Sequence, residues 1–242
     1  MARALHVIAS LCIAAALAAC SNSSTGLPAG FQCSGQPLPT TAPALVNVSG
    51  SVEDIISAAA ISGASVKAFR VGDTTTLAST TTTTPGAYAV SIASGGTPVN
   101  GYLHVNDGGT HMDAYVYPAV PLATDLTETV KMVTSSEFAV FAAAAGITPV
   151  AGDGFIAVVV TDCQGATVGG ATVTSTPAGT VRYNVAGTPS STASVTAADG
   201  IAYIANVAPG DVTIKATAGG VTMRQHVVTA YANSVTLTAI QP

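Results

Sequence analysis

From Val46 onward the chain consists of short apolar alternations, each closed by Gly, Asp, Asn or Pro. Successive side chains of a strand point to opposite faces, so this pattern buries one face of a sheet and wets the other. Strands are expected over residues 46–50, 64–69, 87–92, 155–161, 171–176, 180–185, 193–197, 202–207, 211–216, 222–229 and 234–240. Gly-marked turns at Asp199-Gly200, Pro209-Gly210 and Gly219-Gly220 separate the later ones. Many short strands at even spacing describe an antiparallel sandwich. The threonine run ending at Pro85-Gly86 has strand propensity but little apolar area, which places it at a sheet edge or in a loop.

Residues 135–145 break the pattern. Ser135 or Ser136 can cap a helix, Glu137 suits its first turn, and Phe138, Phe141 and Ala144 form a stripe before Gly146. The fold class read from the sequence is therefore all-β, two sandwich units joined by a short helix. The boundaries are 46–122 for the first domain, 123–152 for the connecting segment with the helix, and 153–242 for the second domain.

Residues 1–19 read as a sorting signal, with Arg3 followed by an apolar run too short for a membrane span. The run ends Leu17-Ala18-Ala19-Cys20, which resembles the lipobox of bacterial lipoproteins. That resemblance implies cleavage before Cys20, diacylglyceryl and palmitate chains on it, and attachment to a membrane through lipid. Ser21 after the cysteine leans toward the outer membrane of a Gram-negative envelope. Residues 20–45, rich in Ser and Pro, then read as a lipidated flexible tether. Once Cys12 leaves with the signal and Cys20 is lipidated, Cys33 and Cys163 remain as an even pair in an oxidising compartment. A disulfide tying the tether to the second domain is expected, with two buried free thiols as the alternative.

Residues 48–66 are echoed by 158–173, each ending in Gly-Ala-x-Val, and 85–90 by 199–204. This arrangement resembles the carboxypeptidase regulatory-like domain, a transthyretin-like β-sandwich. The second unit carries the pattern from Asp162 through Val173 and again at 210–215; the first departs from it by an insertion over 53–61. The resemblance implies a transthyretin-like or immunoglobulin-like sandwich that accompanies other modules and has no catalytic residues of its own.

Charge narrows the function classes. With 7 Lys and Arg against 12 Asp and Glu, the chain has a formal charge of −5. No basic block offers a surface that releases counterions from nucleic acid, so nucleic-acid binding is excluded as a reading. There is no Gly-x-Ser-x-Gly elbow, His-Glu-x-x-His motif or phosphate loop, and the sequence argues for no cofactor.

The candidate site is one face of a hairpin over 102–117. A two-residue turn at Asp107-Gly108 sets His104 opposite His111. It puts Leu103, Val105, Met112, Ala114 and Val116 on one face, and Tyr102, His104, His111, Asp113, Tyr115 and Tyr117 on the other. That second face is a possible binding face for an envelope protein or a glycan. His104, His111 and Asp113 are weak candidates for a metal site, because two imidazoles across one strand pair can share a transition metal. The expected function is a non-catalytic cell-envelope lipoprotein that contacts protein or glycan. The alternatives are a purely structural spacer or accessory subunit, and a surface hydrolase or metal-dependent binding protein using His104 and His111.

Overall fold

The computed structural model describes residues 26–242; residues 1–19, read above as a sorting signal, and Cys20, read above as a lipidation site, lie outside the described residues. The first half contributes β1 (Leu45–Asp54), β2 (Ser65–Arg70), β3 (Thr76–Thr81), β4 (Ala87–Ala93), β5 (Gly101–Asn106), β6 (Ala114–Tyr117) and β7 (Leu126–Met132). After α1 (Ser135–Ala144) come β8 (Gly154–Val160), β9 (Thr172–Thr176), β10 (Thr180–Val185), β11 (Thr188–Ser190) and β12 (Ile201–Val207). The chain closes with β13 (Gly210–Ala218), β14 (Val221–Thr222), β15 (His226–Ala230) and β16 (Val235–Ile240).

The alternation read from the sequence is the alternation of burial: β4 runs exposed-buried through all its residues, and Val46, Val48 and Val52 of β1 are fully buried. What the alternation does not specify is which strands meet. One sheet of nine strands runs β11-β10-β12-β8-β16-β6-β5-β2-β3, and two smaller sheets, β4-β1-β7 and one built on β13, pack on it. The last strand of the chain, β16, lies between β6 and β8 and is parallel to both. The edge strands of the two halves, β6 and β16, thereby become neighbours across the boundary.

The two small sheets cover opposite faces of the large one. Val66, Leu103, Val105 and Val116 share a core with Val48, Val52 and Val90 of the β4-β1-β7 sheet. Ile156, Val158 and Ile204 share the other core with Val212, Ile214 and Val228. In the β16 register Leu237 sits beside Val116 on the first face, whereas Thr238 sits beside Val158 on the second. The halves are thus stepped, each leaving bare the face that the other covers.

The internal repeat is visible in the hydrogen bonds. Thr82 Oγ1 accepts the Ala64 N–H and donates to the Ile61 carbonyl; Thr196 Oγ1 accepts the Ala171 N–H and donates to the Val168 carbonyl. Val52 N–H reaches the Gly86 carbonyl as Val160 N–H reaches that of Gly200. A Cβ at either glycine would stand 2.7 or 2.6 Å from the carbonyl oxygen of Val52 or Val160, and both have positive φ, so Gly is required at these two turns.

Several sequence expectations are corrected. The sheets are mixed, not purely antiparallel, because β1 pairs with β7, and β16 with β6 and β8, in parallel. The connecting segment, which leaves room for one further strand, holds it as β7, a full partner of β1. Residues 193–197 form no strand; Thr196 instead holds the neighbouring segment through its side chain and through backbone hydrogen bonds with Gly170 and Ala171. The segment read as a tether packs from Leu27 onward: Phe31 is buried in the second core, and Cys33 is joined to Cys163 with 5.8 Å between their Cα atoms.

The helix cap is Thr134, one residue before the expected serines. Its side chain accepts the Glu137 N–H, and the Glu137 carboxylate accepts the Thr134 N–H, a reciprocal capping box. Ala142, Ala145 and Ile147 are buried against Ala205 and Phe155, so α1 does not join two sandwiches but covers a bare face of the large sheet.

Candidate functional site

The hairpin face exists, but its register differs from the one the Asp-Gly turn dictates. Leu103 pairs with Val116, His104 with Tyr115 and Val105 with Ala114, leaving a loop over 107–113. The shift is an even number of residues, so the faces are kept while the partners change. Asn106, not the turn, explains the long loop: its side-chain oxygen accepts the Gly108 N–H, and its amide donates to Asp113.

His104 and His111 consequently part. His104 Nε2 donates to Asp113 Oδ2 at 2.7 Å, and the ring stacks on Tyr115 with centroids 4.5 Å apart. His111 turns the other way, with Nδ1 2.5 Å from Asp107 Oδ2 and Nε2 3.3 Å from Asp54 Oδ2. Among the described residues no group of three or more His, Cys, Asp or Glu side chains is placed to hold a metal ion. The shared-metal arrangement expected of His104, His111 and Asp113 is corrected accordingly.

His111 ties three elements together. Asp54 ends β1, Asp107 opens the hairpin loop, and His111 itself bridges Thr134 at the helix cap. The Asp54 carboxyl is held down at about 2, first by the hydroxyl and backbone N–H of Ser57 and then by His111. Burial alone would raise Asp107, but hydrogen bonds from the His111 ring and backbone overcome it and leave that carboxyl below its ordinary value.

The aromatic residues form two ladders that follow the strand register. Phe69, Tyr102 and Tyr117 stack in one row, with centroids 5.4 and 4.9 Å apart. His104, Tyr115 and Tyr231 stack in the other, at 4.5 and 3.6 Å. Tyr231 comes from the turn between β15 and β16, so the second row ends on the other half of the molecule; its hydroxyl also lies 3.2 Å from that of Tyr117. Burial pushes the Tyr115 hydroxyl up to about 12, helped by the Asp113 charge, and raises Tyr102 and Tyr231 as well. These phenols stay neutral and act as a hydrophobic seam with polar tips. Both ring faces of Tyr102 and of Tyr115 are occupied by neighbouring rings. The sequence pointed to this face but could not anticipate Tyr231, which joins it only because β16 crosses the boundary.

Two hollows lie elsewhere. The one under α1, lined by Phe138, Phe141, Phe155 and Leu237, encloses about 50 Å³. That is well below the roughly 150 Å³ that an apolar cavity needs to take up benzene. A wider cleft of about 310 Å³ lies between Met112, Asp153, Asn206 and Asn233. Its two asparagine side chains are committed to loop backbone, Asn206 to Thr148 and Val150 and Asn233 to Gly152.

No protein-family model matches the chain, and no curated protein matches it. Among solved structures it aligns with the Bacillus anthracis TIE protein at 12% identity and a TM-score of 0.29, covering 81% of this chain and 33% of that one. A streptococcal ancillary pilin aligns at 12% identity and a TM-score of 0.27, covering 82% and 62%. The shaft pilin SpaA from Lactobacillus rhamnosus GG aligns at 13% identity and a TM-score of 0.25, covering 84% and 98%. The chain thus spans about a third and about three fifths of the first two. GBS52, the minor pilin of the Gram-positive pathogen Streptococcus agalactiae, is a further match. Three of these four are described as pilins and none as an outer-membrane lipoprotein, and the placement as a lipoprotein of a Gram-negative outer membrane is corrected on that finding and carried no further. At such TM-scores the alignments add nothing to the fold described above.

Proposed function

We propose that this chain is a non-catalytic structural module, a spacer or accessory subunit that holds protein contacts at a fixed separation. The observation that carries this reading is the seating of β16 between β6 and β8, which makes one nine-stranded sheet out of two sandwiches. A hinge between the halves would have to break that ladder. The stack of Tyr115 on Tyr231 and the Cys33–Cys163 bridge add two further ties, one across the step and one closing the end of the second core.

The hairpin face supports a contact role for protein better than one for sugar. Sugar rings are taken up on open aromatic faces, and here those of Tyr102 and Tyr115 are spent on each other's neighbours. The part-exposed polar groups His104, Asn106 and Asp113 remain as a surface for a protein partner.

Calorimetry and force extension test the spacer reading together. The expected result is a single cooperative unfolding transition and a single rupture for both halves. Two separate transitions, with one half folded while the other is open, would remove the rigid-spacer reading.

A further inference from the structure

An edge strand presents unpaired backbone N–H and C=O groups, and proteins ordinarily guard such edges with charge, proline, brevity or a cover. The edges at β11, β7, β9 and β15 are guarded, and the edge strand β4 runs alongside β3. β11 has three residues, contains Pro189 and lies against α1. On β7 the side chain of Glu128 is directed with Val130 toward the core side, where burial raises its carboxyl, and Lys131 follows. Along β9 the Val173 N–H is taken by the Tyr183 hydroxyl. At β15 the Arg224 N–H, just before the strand, is taken by the Gln241 carbonyl, and His226 lies on the core side.

The other end of the nine-stranded sheet is flanked by β4 without being hydrogen-bonded to it, and has neither charge, proline nor brevity to guard it. β3, Thr-Leu-Ala-Ser-Thr-Thr, hydrogen-bonds as a strand only to β2. It contains no proline, and no Asp, Glu, Lys or Arg occurs between Thr74 and Asn106, a stretch that includes all of β3, β4 and β5. Thr82 donates its N–H to the Ala64 carbonyl, and Val66 stands opposite Thr80. By the alternation of an antiparallel ladder, residues 78 and 80 then bond to β2, while Ser79 and Thr81 direct their backbone groups away from it. The side chains of Ser79 and Thr81 are exposed.

We infer that β3 is a self-association edge, on which a second copy of this chain adds its own β3 in antiparallel register and continues the large sheet across a twofold axis. Three features of the strand select a second copy as the occupant. Only an extended backbone satisfies a row of outward N–H and C=O groups. An isologous pair must be self-complementary, and a strand of threonine, serine and alanine sets small β-branched or hydroxyl side chains opposite their like in any antiparallel register. The chain has a net charge of −5, so two copies repel through most of their surface, whereas β3 itself carries no charge and the cation beside it, Lys67, lies one strand inward on β2.

Sedimentation velocity of the full chain over a range from about 1 to 500 μM tests this, read as a monomer–dimer equilibrium. The wild-type chain is expected to dimerise within that range. The double variant S79E/T81E, which places like charges opposite each other in the pair, is expected to weaken the dimer at least tenfold. T127E, on the guarded β7, serves as the control and is expected to leave it unchanged. The carboxylate that S79E introduces would face Lys67 across the β2–β3 ladder, so loss of fold is not the expected cause, and unchanged circular dichroism checks it. A wild-type chain that stays monomeric throughout, or a dimer that S79E/T81E does not weaken, overturns the inference. If the double variant loses fold, T81E alone is read by the same criterion.

Discussion

Tyr231 lies flat on Tyr115, their centroids 3.6 Å apart, although one residue belongs to the β15–β16 turn and the other to the hairpin of the opposite half. That contact and the β16 ladder make the two halves one body. Each half builds most of its own core, but Tyr117 of the first half is buried in the second core and Leu237 of β16 packs on the first, so the boundary is held by a strand insertion, an aromatic seam and these crossing side chains.

Truncating the seam residue should weaken the coupling more than either half. Tyr231→Ala is expected to cost about 2–3 kcal/mol, below the roughly 3–5 of a fully buried aromatic because the ring is only half buried. Urea unfolding measures the loss, and hydrogen exchange should show it concentrated at β6 and β16.

The repeated threonines offer a matched pair. Thr82→Val and Thr196→Val each leave a buried Ala N–H without its acceptor, at about 1–3 kcal/mol apiece. Near-equal losses in chemical unfolding are expected, because the two bonds have the same geometry in the two halves. A loss at only one site would show that the repeat is a likeness of sequence without equivalence of role.

Reduction should free the N-terminal segment. The Cys33–Cys163 bridge closes a loop with a sequence separation of 130, and its removal is expected to cost about 2–4 kcal/mol. Cys33→Ser/Cys163→Ser should then show faster amide exchange around Phe31, whose ring the bridge holds in the second core.

Acid should act at two places with separate windows. Asp54 titrates near 2 in the fold against an ordinary 3.8, so its contribution is present above about pH 4 and is lost as pH falls through that interval. Ser57→Ala removes its largest cause and should flatten the stability profile there. His226 is shifted the opposite way in charge: burial keeps its ring neutral and lowers it from 6.5. The unfolded chain takes up that proton first, so stability falls as pH drops below about 6.5. Its Nε2 has no hydrogen-bond partner among the described residues. His226→Leu should therefore remove that slope while leaving the Asp54 window intact.

Much of this was legible in the residues. Alternation assigned the strands and their buried faces, because side-chain direction in a strand has a period of two whatever the partner. Gly-Ala-x-Val at 63–66 and 170–173 marked the repeat, and Gly86 and Gly200 its turns. The helix was visible from Glu137 and the stripe that follows, although its capping threonine was not, since Ser and Thr crowd that stretch and each can cap. Pairing was decided only in three dimensions. The Asp107-Gly108 dipeptide favours a two-residue turn by a small local preference, and the Asn106 and Asp113 side chains, with His111 drawn between Asp54 and Asp107, outweigh it. The choice of β6 as a neighbour for β16 leaves no local trace, because backbone hydrogen bonds are indifferent to sequence and the stepped sheet is stabilised by burial that only the assembled halves can offer.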